Sequence, residues 1–201
     1  MSRSPLFAGL VLAAGASSRM GTEKALLEYE GRSFLAGAIQ LLQSACDSVM
    51  VVTGNNTDLL KPVIVQNSAY LIRNWHPEAG QFSSLRLGLR AAIDRGCHGT
   101  CVTLVDRPAA EFATLALLKA KFLNSKPEDV WAVVPEVGGK HGHPVVFGRE
   151  MMEAFLHAEP SSNARELEHQ HQHHIVYLSV RDPRVALNIN TPEEYSSLQT
   201  P

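Results

Sequence analysis

The sequence predicts an α/β protein in which helices cover both faces of a mostly parallel sheet. Short apolar segments alternate along the chain with segments of helical spacing, the pattern of a parallel sheet. Several apolar segments have no polar face, as expected for strands covered on both sides. At 201 residues, 45% of them hydrophobic, the chain can bury a full core. We therefore expect residues 1–201 to form one domain.

Eight segments have the length and composition of strands, and five have helical spacing. The predicted strands are residues 7–12, 48–52, 69–72, 101–105, 130–134, 144–147, 175–180 and 185–189. Ser33 caps the first predicted helix, and a second starts near Ser83. The other predicted helices are residues 111–122, 150–157 and 192–198. Parallel sheets bind ligands beyond the carboxyl ends of their strands, so polar motifs that follow strands are the candidate sites.

Charge and cysteine content narrow the class of partner. The formal net charge is −2, whereas proteins that coat nucleic acids carry a basic surplus. Three cysteines with no CxxC pair fit a reducing compartment better than a disulfide scaffold. No apolar run approaches the roughly 18 residues that span a bilayer. We expect a soluble cytoplasmic protein with no nucleic-acid or membrane partner.

A glycine-containing loop follows the first predicted strand. Residues 12–24 read LAAGASSRMGTEK, and the small residues Ala13, Ala14 and Gly15 let backbone N–H groups approach an anion. Arg19 and Lys24 add positive charge for a triphosphate. The loop is not a Walker loop, and the missing GxGxxG pattern disfavours a dinucleotide-dependent dehydrogenase. By composition alone it is equally an ordinary βα turn with two exposed cations.

Five motifs in order carry a family resemblance. They are LAAGxSxRMGxxK after the first strand, NWHPEAGQFSSLRLGL (74–89), LVDRP (104–108), GHPVVFGRE (142–150) and NINTPEEY (188–195). Together they resemble the MobA-like NTP transferases, most closely the molybdenum cofactor cytidylyltransferases. The resemblance implies a Rossmann-like nucleotide-diphospho-sugar transferase fold. It also implies transfer of a nucleoside monophosphate from an NTP, with release of pyrophosphate.

The resemblance also assigns the nucleotide site. It implies catalytic roles for Lys24, Arg19 and Asp106. Cytidylyl-transferring members read LAAG where guanylyl-transferring members read LAGG, so Ala14 favours CTP. The residues implied in nucleotide binding are Leu12, Ala13, Ala14, Gly15, Arg19, Lys24, Asn74, Gly80, Ser83 and Ser84. Ser83 also fits a plain helix cap.

Asp106 and Asn190 are the implied ligands of Mg²⁺. Asp106 directly follows an apolar strand, and a carboxylate there suits Mg²⁺, which is held by few protein groups plus phosphates. The family usually has Asp at positions 188 and 190, whereas this chain has Asn188 and Asn190. An amide oxygen adds no charge, so we expect weak binding of free metal, with the triphosphate supplying the missing charge. The competing interpretations are that Asp106 caps a helix beginning near 108 and that the two asparagines form an Asx turn.

The acceptor side is less defined. The resemblance places His143 toward the acceptor, although a structural histidine at a strand entrance fits as well. Arg165 could contact an acceptor phosphate, or it is a surface cation of a helix. The histidine-rich run 169–174 has no paired ligand spacing, which favours a solvated loop over a metal site.

The predicted reaction is in-line transfer of CMP from CTP to a phosphorylated small-molecule acceptor, the molybdopterin cofactor being the acceptor that the resemblance suggests. A molybdoenzyme maturation partner would then receive the product. Two alternatives remain open at this point. One is the same donor site with a sugar-phosphate or alcohol-phosphate acceptor, and the other is a non-catalytic nucleotide-binding maturation protein.

Overall fold

The main sheet has eight strands, and most of its pairings are parallel. The computed structural model describes residues 5–15, 20–159 and 162–199. The strands are β1 (Phe7–Ala13), β4 (Ser48–Thr53), β5 (Tyr70–Arg73), β6 (Gly99–Leu104), β7 (Ala132–Val137), β8 (Lys140–His141), β9 (Val145–Gly148) and β10 (Ile175–Ser179). Their order is β10-β7-β9-β6-β1-β4-β5, and β8 pairs with β7. β9 runs antiparallel between β6 and β7, and the predicted mostly parallel sheet is confirmed.

Helices cover both faces of this sheet, as predicted. They are α1 (Phe34–Gln43), α2 (Thr57–Gln66), α3 (Gln81–Asp94), α4 (Phe112–Leu123), α5 (Arg149–His157), α6 (Ala164–Gln170) and α7 (Pro192–Gln199). Alternate residues of β1 enter two separate cores, because successive strand side chains point to opposite faces. Val11 packs with α1, α2 and α4, whereas Leu10 packs with α3 and α5.

Local chemistry explains where α1 begins. The Ser33 hydroxyl accepts a hydrogen bond from the Ala36 amide at 3.1 Å, which is the predicted N-cap. Just before it, β2 (Glu28–Tyr29) and β3 (Arg32–Ser33) form a short hairpin. Gly31, with φ +76°, makes the tight turn between these strands possible. This hairpin was not predicted, since strands of two residues carry no periodicity.

The structure corrects three predictions. Residues 185–189 are not a strand, because a 3-10 turn occupies Pro183–Ala186 and the Val185 carbonyl accepts side-chain and loop donors instead of a strand partner. Helices α2 and α6 were missed; Pro62 lies inside α2, and α6 is seven residues long. The histidine run is not a loop, since α6 and a 3-10 turn (Gln172–His174) include most of it.

Two further observations concern the whole described chain. All three cysteines are free, and Cys97 and Cys101 are buried. No helix within the described ranges has the length and apolar character required to cross a membrane.

Candidate active site

The end of β1 is tied to its neighbours through Asn56. The Asn56 side-chain amide donates to the Ala13 carbonyl at 2.8 Å and to the Glu23 carboxylate at 3.1 Å. Its oxygen accepts from the Gly54 amide at 3.1 Å. One side chain thus joins the carboxyl ends of β1 and β4 to the far end of the Gly-rich loop. Sequence reasoning did not identify Asn56, which lies outside every motif.

Leu12 and Ala13 are the last residues of β1, and both are buried. Ala14 is half-buried and Gly15 is exposed, so the chain emerges from the core at these residues. The predicted contact Arg19 lies in 16–19, outside the described residues. The sequence-predicted loop therefore begins where it was expected, at the carboxyl edge of a central strand.

Lys24 meets Asn190 across the site. The Lys24 ammonium donates to the Asn190 side-chain oxygen at 2.9 Å, although 166 positions separate the two residues. Lys24 is held in a 3-10 turn (Lys24–Leu26) whose first amide groups are capped by Glu23. A cation from near the start of the sequence and an amide oxygen from near its end are therefore in direct contact.

Asp106 lies near this pair, at the end of a central strand. It follows β6, its side chain is 32% exposed, and its carboxylate accepts from the Arg107 guanidinium at 3.0 Å. The Ile189 amide donates to the Asp106 backbone carbonyl at 2.8 Å, so Asn190 follows a residue bonded to Asp106. The structure thus brings Lys24, Asp106 and Asn190 to the same edge of the sheet.

The competing interpretations of these residues are excluded by their partners. Asp106 does not cap α4, because Asp182 accepts the Glu111 amide at 2.7 Å at that helix start. The asparagines do not form the turn before α7 with their side chains. Glu194 accepts from the Asn190 and Thr191 amides instead. The Asn188 oxygen accepts from Arg107.

The segment predicted to contact the base is built on Asn74. Its side-chain amide donates to the hydroxyls of Ser83 at 2.9 Å and Ser84 at 3.0 Å. Ser84 is buried, whereas the half-buried Ser83 also donates to the Gly80 carbonyl. Gly80 has φ +89°, and open space surrounds the place where a Cβ would lie. A ligand group can therefore approach the Gly80 backbone closely.

Gly54 brings the base segment and the Gly-rich loop together. A Cβ on Gly54 would lie 2.9 Å from the Ala14 carbonyl oxygen and 3.0 Å from Pro77. Such distances leave no room for a side chain. The close approach follows from the glycine, and it places the two predicted nucleotide-binding segments side by side.

His143 is half-buried and lies next to β6. Its Nδ1 lies 3.3 Å from the Val102 carbonyl, which can only accept, so this nitrogen carries the proton. Burial, together with the nearby Arg107 charge, lowers the pKa of His143 from 6.5 to about 4. The imidazole is neutral near pH 7.

Arg165, the other predicted acceptor residue, is exposed on α6. Helix α6 packs against α5. The surface interpretation of Arg165 has the support of its exposure. No acceptor contact is assigned to it.

The histidine run forms an aromatic stack. The His174 ring lies on Trp131 with centroids 4.0 Å apart and planes at 6°, and His171 contacts the same indole. Over the described parts of the chain, no group of three or more His, Cys, Asp or Glu residues is arranged to hold a metal ion.

The site offers Mg²⁺ a carboxylate and an amide oxygen. One oxygen of Asp106 accepts a hydrogen bond from Arg107. Within the described residues, the other oxygen accepts none. The Asn190 oxygen accepts from Lys24. A phosphate group could replace that oxygen as the partner of Lys24 and leave it available to a metal. These are hard oxygen donors, few in number, which fits a metal held mainly by phosphates and water.

Comparison with known proteins agrees with this geometry. The chain matches the MobA-like NTP transferase domain over residues 9–175. It is 30% identical over 191 residues to a molybdenum cofactor guanylyltransferase of Xanthomonas euvesicatoria, covering 94% of this chain and 93% of the relative. It is 25% identical over 187 residues to the molybdenum cofactor cytidylyltransferase of Escherichia coli K12, covering 92% of each.

Solved structures share the fold. Rv0371c from Mycobacterium tuberculosis superimposes with a TM-score of 0.82 at 24% identity, over 98% of both chains. Its complex with manganese has a TM-score of 0.76 at 23% identity, over 96% of this chain and 97% of the other. Because the family domain matches most of this chain, the chain belongs to the MobA-like NTP transferases and is a nucleotidyltransferase.

Proposed function

We propose that the protein transfers CMP from CTP to the phosphate of a molybdopterin-type cofactor, releasing pyrophosphate in a Mg²⁺-dependent reaction. The observation that carries the proposal is the meeting of Lys24, Asp106 and Asn190 at the carboxyl edge of the sheet. Both types of molybdenum cofactor transferase are among the relatives, which supports this class of acceptor. Ala14, in the LAAG sequence, supports CTP as the donor.

The proposed reaction needs no covalent enzyme intermediate. An acceptor phosphate oxygen attacks the α-phosphorus, the bond from that phosphorus to the bridging oxygen breaks, and pyrophosphate leaves with the electron pair. Lys24 exchanges the Asn190 oxygen for a phosphate oxygen, and Arg19 supports the departing pyrophosphate. Gly15 and Gly80 admit the nucleotide to the backbone.

Asp106 and Asn190 would hold the metal, which when bound neutralises charge on the phosphates. Support comes from the hard oxygen donors of these two residues and from the manganese complex of the structurally similar mycobacterial protein. Asp106 contributes the only formal charge of the pair. The NTP therefore supplies most of the negative charge that retains the metal.

A second donor deserves a direct test, because the Xanthomonas relative is a guanylyltransferase. Calorimetry with CTP and GTP, each with and without Mg²⁺, compares the two donors on the wild type. Magnesium-dependent CTP binding, weaker for GTP, supports cytidylyl transfer. Tighter GTP binding assigns the same site to guanylyl transfer, and binding of neither nucleotide contradicts the proposed function.

Asp106→Ala tests the metal assignment in the same assays. We expect pyrophosphate release with a molybdopterin acceptor to fall at least ~100-fold, by analogy with the removal of one preorganised electrostatic group. Screening sugar-phosphate and alcohol-phosphate acceptors on the wild type separates the acceptor classes. A variant that retains the wild-type rate contradicts the role of Asp106, and nucleotide binding without turnover on any acceptor indicates a binding protein.

A further inference from the structure

Arg107 is a buried arginine beside the candidate metal ligand, and no motif role has been given to it. It is 7% exposed. Its Nε donates to Asp106 at 3.0 Å and one terminal nitrogen donates to the Val185 carbonyl at 3.2 Å. The other terminal nitrogen donates to the Asn188 side-chain oxygen at 2.5 Å. All three arms of the guanidinium are therefore used, in three directions.

These contacts fix the orientation of the Asp106 carboxylate. Its Oδ1 is held by a charge-assisted hydrogen bond, which leaves Oδ2 as the oxygen available to a ligand. The same guanidinium holds Val185 and Asn188, in the segment that continues to Asn190. One side chain thus sets both oxygen-bearing parts of the site relative to each other.

Arg107 also sets the charge of the site. A positive charge in direct contact with Asp106 opposes the attraction of that carboxylate for a free cation. Asn188, the third partner of Arg107, is neutral, so the charge of Arg107 is balanced by Asp106 alone within this cluster. An aspartate at position 188 would share the guanidinium and leave Asp106 less compensated.

We propose that Arg107 is a positioning residue that orients Asp106 and compensates its charge, with Asn188 as its neutral partner. The site then binds a divalent cation weakly on its own and tightly when the triphosphate supplies negative charge. The inference rests on the proposed function, because it concerns the metal used with the NTP. It explains nucleotide-dependent metal binding by the charge of Arg107, a residue that is not itself a metal ligand.

The test is Mn²⁺ binding, followed by electron paramagnetic resonance, with Mn²⁺ alone and with CTP or GTP present. Arg107→Gln removes the positive charge, so we expect Mn²⁺ alone to bind roughly 3- to 10-fold more tightly, as for loss of one unit charge near a partly solvated site. Arg107→Lys keeps the charge but loses the fork. Binding of Mn²⁺ alone should stay within about twofold of wild type, while binding with nucleotide weakens.

Asn188→Asp provides a second variant, at an exposed position. We expect it to tighten binding of Mn²⁺ alone in the same direction as Arg107→Gln. Arg149→Gln is the matched control, since Arg149 forms its ion pair with Glu153 on α5. It should leave both Mn²⁺ affinities unchanged.

The outcomes separate this inference from the proposed function. If wild-type protein does not bind Mn²⁺ with either nucleotide, the proposed function fails. If wild type binds both together but Asn188→Asp and folded Arg107→Gln bind Mn²⁺ alone as wild type or more weakly, the charge role of Arg107 is wrong. Wild-type binding by Arg107→Lys in every condition removes its positioning role.

Discussion

His143 illustrates how a residue from a family motif can have a role set by packing. Its Nδ1–H donates to the Val102 carbonyl, and its backbone amide donates to the Val185 carbonyl at 3.0 Å. The imidazole also lies near the Arg107 charge. These contacts join β6 to the segment that leads to Asn190. At the residue scale, these contacts give the histidine a structural role in connecting the two segments.

The depressed pKa of His143 predicts a pH-dependent stability. The pKa is about 4 in the folded protein against an ordinary 6.5, so between these values the unfolded chain binds more protons. The stability that the neutral imidazole contributes is present above pH 6.5 and is lost as pH falls toward 4. The difference corresponds to roughly 3 kcal/mol over the full window.

Urea unfolding between pH 4 and 8 measures this effect. His143→Gln should give a flatter dependence of the unfolding free energy on pH below 6.5. The control is His76→Gln, whose side chain is 82% exposed and which should leave the slope unchanged. Equal slopes for wild type and His143→Gln would show that the imidazole is not buried in its neutral form.

Gly142 makes a second prediction at the residue scale. A Cβ at this position would lie 1.8 Å from the Val185 carbonyl oxygen and 2.4 Å from its carbon, both backbone atoms. Gly142→Ala must therefore push the 183–186 turn away, which we expect to cost roughly 1–3 kcal/mol of unfolding free energy, as overpacking does.

Denaturant unfolding of Gly142→Ala and of Gly139→Ala gives the comparison. Gly139 has φ +75° but open space around it, so its variant carries backbone strain without a clash. We expect nucleotide binding to weaken in Gly142→Ala but not in Gly139→Ala, because the Val185 carbonyl accepts a hydrogen bond from Arg107. A Gly142→Ala protein with wild-type stability and binding would contradict the close contact.

At the scale of elements, Asp182 connects α4 to the turn that precedes Asn188. Its carboxylate is buried and accepts from the Glu111 amide at 2.7 Å and the Thr114 hydroxyl at 3.1 Å. The other oxygen accepts from the Arg184 amide at 3.0 Å. A single side chain therefore binds the start of α4, far along the chain, and caps the Pro183–Ala186 turn.

Asp182→Ala should destabilise the protein by roughly 2 kcal/mol or more, since it removes a cap and leaves buried donors unpaired. Thermal and urea unfolding measure the loss. Asp129→Ala, at an exposed position, is the matched control and should stay within about 0.5 kcal/mol of wild type. A loss no larger than that of the control would mean that neither α4 nor the turn depends on Asp182.

At the scale of the molecule, the sheet and the order of its motifs could be predicted because their signals are local. An apolar run such as Phe7–Ala13, or the Ser33 cap, can be recognised from a stretch of about ten residues. The predicted strand at 185–189 was wrong because apolar residues there serve packing under a turn, without a strand partner. Periodicity does not distinguish the two cases.

The site was predictable only in part, for a related reason. The roles of Asp106 and Lys24 are implied by motifs, whereas Arg107, Asn56 and Asp182 gain their roles from partners 40 to 80 positions away. A charged residue directly after the motif aspartate was the one available signal for Arg107. Its partners Val185 and Asn188 become visible only when the chain is folded.

Because Lys24, Asp106 and Asn190 come from distant parts of the chain, nucleotide binding should stabilise the whole fold. A ligand that binds only the folded state adds about 2.7 kcal/mol at 100 times its dissociation constant. For a chain of this size, that corresponds to a rise of about 5–10 °C in Tm. Scanning calorimetry with saturating CTP or GTP and Mg²⁺ measures the rise for wild type, Lys24→Ala, Asp106→Ala and Arg149→Gln.

Each variant is compared with its own Tm without nucleotide, which separates loss of binding from loss of stability. Lys24→Ala and Asp106→Ala should lose most of the rise, since each removes a charged group from the site, and Arg149→Gln should keep it. If the rise survives in both Lys24→Ala and Asp106→Ala, the nucleotide binds elsewhere on the molecule. If it is lost in only one variant, only that residue's charge is needed for nucleotide binding.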